Sequence, residues 1–228
     1  MNRIISALLL CLVAFGAQAG VISDIQNGLV AENTNVDLYN VTVVATRYNG
    51  FFAAEAPFGA TNGIWVYTGS DTGALPGDVV TIQGGLYYEY YGLSEVEATA
   101  TVGAVVTIMG PGAVPAPIYV EAASLLADPE PWESCYIMIT DGMQVTVAPN
   151  SYGEWFADAL GGGTIMFDDY WYDDTTVMVG DCYNHAAGLL NYNFNAFKLE
   201  VLADGIEIVD CAVDSDETSF GAVKALFR

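Results

Sequence analysis

Basic residues are almost missing from this chain. Five lysines and arginines stand against 28 aspartates and glutamates, for a formal net charge of −23, and His185 is the one histidine. The shortage excludes a basic surface that tracks a phosphate backbone by releasing counterions, so unassisted nucleic-acid binding is disfavoured. One histidine and no CxxC pair among four cysteines exclude an ordinary zinc site. His185 has no serine elbow beside it, and Gly161-Gly162-Gly163 lacks the lysine and hydroxyl residue of a phosphate loop. The chain is therefore read as a non-enzyme. Long apolar runs are absent too, except at the start. MNRIISALLLCLVAFGAQAG carries Arg3, an apolar run from Ile4 to Phe15 and the small-x-small sequence Ala17-Gln18-Ala19. That pattern predicts a secretory signal peptide cut after Ala19, since a membrane span needs about 20 apolar residues. A lipid anchor on Cys11 is the rival, set against Leu10 where a small residue is needed. The protein is expected to be secreted, periplasmic or extracellular, with no membrane span.

What is abundant points to strands. Tyrosine, valine, threonine, phenylalanine and tryptophan are frequent, and there are 24 glycines. The chain also repeats. Displaced by 104 residues, Val41-Thr42-Val43 falls on Val145-Thr146-Val147 and Phe51-Phe52-Ala53 on Trp155-Phe156-Ala157. Displaced by 103, Gly77-Asp78 falls on Gly180-Asp181, Gly85-Leu86 on Gly188-Leu189 and Tyr91 on Phe194. A nearly constant shift marks two related units. In the first, strands are predicted over Asp37–Thr46, Gly50–Glu55, Ile64–Tyr67, Val79–Tyr87 and Leu93–Ala100, with Gly103–Met109 as an extension. In the second they fall over Cys135–Val147, Glu154–Ala159, Thr164–Phe167, Cys182–Leu190 and Phe197–Leu202. Five short strands, the first long and the fourth bent at Gly84-Gly85, predict an all-β fold: two tandem five-stranded OB-type Greek-key barrels. The Pro/Gly-rich stretch 110–117 is the linker, and Val120–Ala127 reads as a short helix. DSDETSFGAVKALFR, residues 214–228, reads as an acidic tail with a short C-terminal helix. The resulting division is 1–19 signal peptide, 20–112 first barrel, 113–212 linker and second barrel, and 213–228 tail.

Candidate sites follow from this frame. GGLYYEYYGLSEVE (84–97) is a strand–turn–strand hairpin whose counterpart is GLLNYNFNAFKLEV (188–201). Its tyrosines serve the core, stack on a ligand, or form a sticky edge that Glu89 blunts. Tyr88, Tyr90, Tyr91, Trp171, Tyr172 and Tyr192 are the candidate ligand-binding residues. Asp168, Asp169, Asp173 and Asp174 are candidate Ca²⁺ ligands, although the EF-hand pattern is absent. In an OB barrel the last two strands run side by side, which places Cys182 near Cys211 as the predicted disulfide. Cys135–Cys182 is the alternative.

GIWVYTG and GDVVTIQGGLYYEYYGLSEVE in the first unit resemble the OB-fold region beside the catalytic domain of secreted bacterial nucleases. In the second unit WESCYIMITDGMQVTV, GEWFADALGGG, GDCYNHAAGLLNYNFNAFKLEV and Ile208-Val209-Asp210 are similar to it too. The resemblance spans roughly residues 21–211, without a nuclease domain and with Lys198 alone remaining of the basic residues that follow the second hairpin. The function expected first is a secreted, non-enzymatic binding module that engages an extracellular polymer or protein through aromatic loops. The alternatives are a nucleic-acid-binding accessory protein related to secreted nucleases, or a cell-surface or matrix structural protein.

Overall fold

The computed structural model describes residues 21–211. The predicted signal peptide and C-terminal helix lie outside them. Among the described residues no helix is long and apolar enough to cross a membrane.

The first unit consists of helix α1 (Val21–Gln26) and strands β1 (Thr34–Arg47), β2 (Gly50–Ala54), β3 (Gly63–Tyr67), β4 (Asp78–Tyr90), β5 (Leu93–Glu97) and β6 (Val105–Pro111). Strands run β1-β2-β3-β5-β4, and β4 pairs back onto β1, closing a five-stranded barrel. β3 and β5 are parallel, and every other pairing is antiparallel. This is the OB-type closure. β6 adds to β4 outside the ring.

The second unit repeats the plan with β7 (Ile118–Val120), α2 (Ala122–Ala127), β8 (Tyr136–Ile139), β9 (Met143–Val147), β10 (Trp155–Ala159), β11 (Thr164–Asp168), β12 (Cys182–Asn193) and β13 (Ala196–Val209). The strand expected over Cys135–Val147 is two strands, interrupted at Thr140-Asp141-Gly142. β12 pairs with both halves and so closes this barrel. β11 and β13 form the equivalent parallel pair, and β7 adds a second by pairing with β8.

Long strands bend where a residue accepts positive φ. Asn40 (φ 55°) marks the bend in β1, where the register with β4 shifts. Gly84 (φ 69°) kinks β4, and its N–H donates to Asp37 Oδ1 at 2.7 Å. Across that kink the inward set passes from Val80 and Ile82 to Gly85 and Tyr87. A slip of one residue turns a strand's faces over. Both long hairpins turn on left-handed pairs, Tyr91-Gly92 (53°, 93°) and Phe194-Asn195 (48°, 68°). Such pairs suit a tight hairpin loop.

Each barrel is plugged by a helix that precedes its first full strand. Ile22 and Ile25 of α1 are buried with Val43, Phe51, Ile64 and Ile82. Ala122 and Leu125 of α2 are buried with Ile137, Trp155, Phe167 and Tyr183. The connections between third and fourth strands are loops, apart from one 3₁₀ turn at Asp174–Thr176.

The barrels are docked. On β2 and β3, Phe51, Ala53, Ile64 and Val66 face the first core, while Phe52, Ala54 and Trp65 face outward into a separate buried cluster. That cluster includes Val44, Ala45 and Leu93, and Leu189 of the second barrel, with Tyr136, Trp171, Tyr192 and Leu202 against it. FFAA and IWVY are thus apolar on both faces because both faces are covered. Residues 131–135 stitch the joint. Thr61 N–H donates to Pro131 O at 2.6 Å, Ser94 N–H to Glu133 Oε1 at 2.9 Å and Cys135 Sγ to Gly59 O at 3.4 Å. At Gly63 a Cβ would lie 2.3 Å from Ser134 O, so only glycine allows this approach.

Candidate functional site

The joint leaves a groove of about 900 Å³ between the barrels. Its walls are the two long hairpins, one from each unit. The β4–β5 hairpin supplies Tyr88, Tyr90 and Tyr91; the β12–β13 hairpin supplies Tyr192, Asn193, Phe194 and Asn195. Tyr91 and Phe194, equivalent in the repeat, are 85% and 88% exposed at the two tips. The hairpins touch near their ends, since a Cβ on Gly92 would meet the Tyr192 ring at 2.7 Å. The floor is the outer surface of the buried joint, with Phe52, Trp65 and Leu93.

The rings meet edge to face, which suits their quadrupoles. Tyr88 and Tyr90 lie 6.2 Å apart at 82°, and Tyr90 and Tyr91 4.9 Å apart at 85°. Tyr90 is 54% exposed, and the Lys198 ammonium lies 5.6 Å from the Phe194 ring centroid. Among these rings stand asparagine amides: Asn49, Asn191, Asn193 and Asn195. Asn193 Nδ2 donates to the Tyr170 hydroxyl at 3.2 Å, and the Tyr192 hydroxyl to Asn195 Oδ1 at 3.3 Å.

Two lining residues carry ionisable charge, Arg47 and Glu95. The Arg47 guanidinium lies 3.3 Å over the Tyr170 ring, a cation–π contact. Glu95 accepts from the Tyr88 hydroxyl at 2.6 Å. Burial raises the Glu95 pKa, reinforced by Glu97, and burial together with Glu95 pushes the Tyr88 hydroxyl well above the ordinary phenol range.

Of the residues expected to bind ligand, Tyr88, Tyr90, Tyr91 and Tyr192 line this groove. Trp171 and Tyr172 do not. Trp171 is packed in the joint, its indole N–H donating to Thr46 O at 2.9 Å, and Tyr172 packs on Trp155 of the second core at 5.9 Å. They hold structure because their loop folds inward. Arg47, Tyr170 and Phe194 were not singled out from sequence. Phe194 was within reach, because the repeat sets it opposite Tyr91.

The four aspartates, the candidate Ca²⁺ ligands, have separate partners. Asp168 is 4% exposed and faces the Lys198 ammonium at 3.1 Å, while its other oxygen accepts the Asp169 N–H at 2.9 Å. Lys198 also pairs with Glu154. Asp173 Oδ1 accepts from the Thr175 N–H and hydroxyl, an Asx-type turn. Among the described residues no group of three or more His, Cys, Asp or Glu side chains could hold a metal ion. Cys182 and Cys211 form a disulfide, and Cys135 is a buried thiol whose pKa burial raises to about 11. His185 lies on β12, 3.4 Å from Glu207.

No protein-family model matches the chain, and no curated protein matches it. Solved structures do. One is a murine DNA-binding protein bound with double-stranded DNA (TM-score 0.38, 14% identity, over 77% of this chain and 96% of that one). Another is the tetrameric p202 HIN2 (TM-score 0.33, 11% identity, 79% and 99%). A third is a Replication Protein A heterotrimer bound to single-stranded DNA (TM-score 0.29, 8% identity, 90% and 71%).

Two of these are described as DNA-bound, whereas the sequence reading put an extracellular polymer or protein first and disfavoured nucleic acid. The reading from charge is corrected on the lining of the groove, which does not carry the chain's net negative charge. The physical error lies in judging a local contact by a summed charge. At physiological salt the screening length is about 8 Å. A guest in the groove meets Arg47 and Glu95, one charge of each sign, among rings and amides.

Proposed function

We propose that this chain is a non-catalytic tandem OB-fold module that binds single-stranded nucleic acid in the groove between its barrels. The observation that supports this most is the pairing of two exposed hairpin tips, one per barrel, across a groove lined by aromatic rings and amide groups. Unpaired bases stack on aromatic rings with about 1–3 kcal/mol each, whatever their sequence, and amides can meet their polar edges. Stacking requires no basic surface. The sequence resemblance to modules beside secreted nucleases fits a chain that holds an unpaired strand, and the predicted signal peptide would deliver it outside the cytoplasm.

The test is fluorescence anisotropy of a short labelled oligodeoxythymidine with the wild type, Tyr91→Asn and Phe194→Asn. Asparagine keeps the left-handed turn but removes the ring. Each variant should weaken binding about 5- to 150-fold. Equal affinity in all three proteins would sink the assignment of the groove, and no binding by the wild type would sink the function.

A further inference from the structure

Resting on that reading, we infer that the groove recognises the unpaired base itself, with the phosphates turned away to solvent, so that adding phosphate weakens binding. The argument is an inventory of cations. Between residues 21 and 211 the basic residues are Arg47 and Lys198. Lys198 is 2% exposed, paired with Glu154 and Asp168, with its ammonium 5.6 Å from the Phe194 ring centroid. Arg47 reaches the groove but lies flat on the Tyr170 ring, where its field also falls on the buried Glu200 carboxyl, and it faces the same cavity as Glu95. A phosphate oxygen in the groove would thus find a single guanidinium, Arg47, sharing the cavity with the Glu95 carboxyl, and no unpaired ammonium among the described residues. Stacking and amide contacts need no cation. The ligand class is an unpaired nucleobase, supplied by a nucleoside or by a single strand.

The experiment is a competition titration in EDTA, so that no divalent ion bridges phosphate to carboxylate. Adenosine and its 5′-mono-, di- and triphosphates compete against the labelled oligodeoxythymidine. At physiological salt each added phosphate should weaken competition by roughly two-fold or more through screened repulsion. Oligonucleotide affinity should hold or rise between about 50 and 200 mM salt as screening relieves that repulsion, where a protein with many phosphate contacts loses several orders of magnitude. If the oligonucleotide binds but adenosine monophosphate outcompetes adenosine, or binding falls steeply with salt, the inference is overturned while the proposed function stands. If neither oligonucleotide nor nucleoside binds, the proposed function fails and this inference with it.

Discussion

Replacing Glu133 by glutamine should change how the stability of this protein depends on pH. Glu133 is fully buried in the joint between the barrels, with Oε1 accepting the Ser94 N–H and Oε2 buried without a partner. Burial raises its pKa to about 8 from an ordinary 4.5, with Glu130 and Glu89 adding repulsion against the partial relief from the Ser94 N–H and the Gln26 side chain. The folded-state pKa lies above the unfolded one. Its contribution is therefore fully present below pH 4.5 and is lost as pH rises towards 8. Each pH unit in that window removes ~1.4 kcal/mol, so the loss is ~3 kcal/mol at pH 7 and ~5 kcal/mol once Glu133 is ionised in both states. Glutamine has the same shape and cannot ionise. Any cost of its extra N–H group is independent of pH. Urea unfolding of wild type and Glu133→Gln at about pH 5, 6.5 and 8 should give a stability difference that moves in favour of the variant by ~4 kcal/mol across the series. Other raised carboxyls, Glu95 and Glu200, titrate in both proteins and cancel. A difference constant with pH would refute the reasoning, because a buried carboxyl in the joint must titrate somewhere in this window.

Two further substitutions test the packing. Gly63→Ala pushes a methyl group to 2.3 Å from Ser134 O and should cost about 1–3 kcal/mol or more, whereas Gly59→Ala, with no atom nearer than 3.9 Å, should lie within ~0.5 kcal/mol of wild type. Equal melting temperatures for the two variants would mean that the joint is not closely packed. Lys198→Met strands Asp168 in the interior and should cost about 3–5 kcal/mol, while Lys198→Met with Asp168→Leu should recover most of it; denaturant midpoints that fail to recover would show that the pair is not the reason for the loss.

Local rules made the barrels legible. Alternation and turn chemistry act over a few residues, so the hairpins at Tyr91-Gly92 and Phe194-Asn195 and the bend at Gly84 could be read directly, and the repeat doubled each signal. Helix α1 could not be read. VISDIQ is too short to show periodicity, and burial of Ile22 and Ile25 in the barrel holds it helical. Neighbouring carboxylates in sequence say nothing of a lysine 30 residues away that pairs with one of them, Asp168. The joint left a trace that was passed over: GFFAA and GIWVY are apolar at every other position on both faces, and a barrel strand has only one face toward its own core. Reading those runs as two-sided would have predicted the docking, and with it the groove.

That dependence of groove on joint links chemistry at Glu133 to binding. The groove has no complete wall in either barrel alone, because Tyr90 and Tyr91 come from one unit and Asn193 and Phe194 from the other. Ionising Glu133 places an uncompensated anion in the joint, near Glu130 and Glu89, and opposes docking. Undocking separates the two tips, so a base that needs both loses one of its stacking partners. Oligodeoxythymidine affinity of the wild type should therefore fall relative to Glu133→Gln as pH rises through about 8, with their ratio cancelling any ionisation of the ligand itself. A ratio that stays flat while the stability difference grows would separate the joint from the groove. It would mean that one hairpin suffices to hold the base.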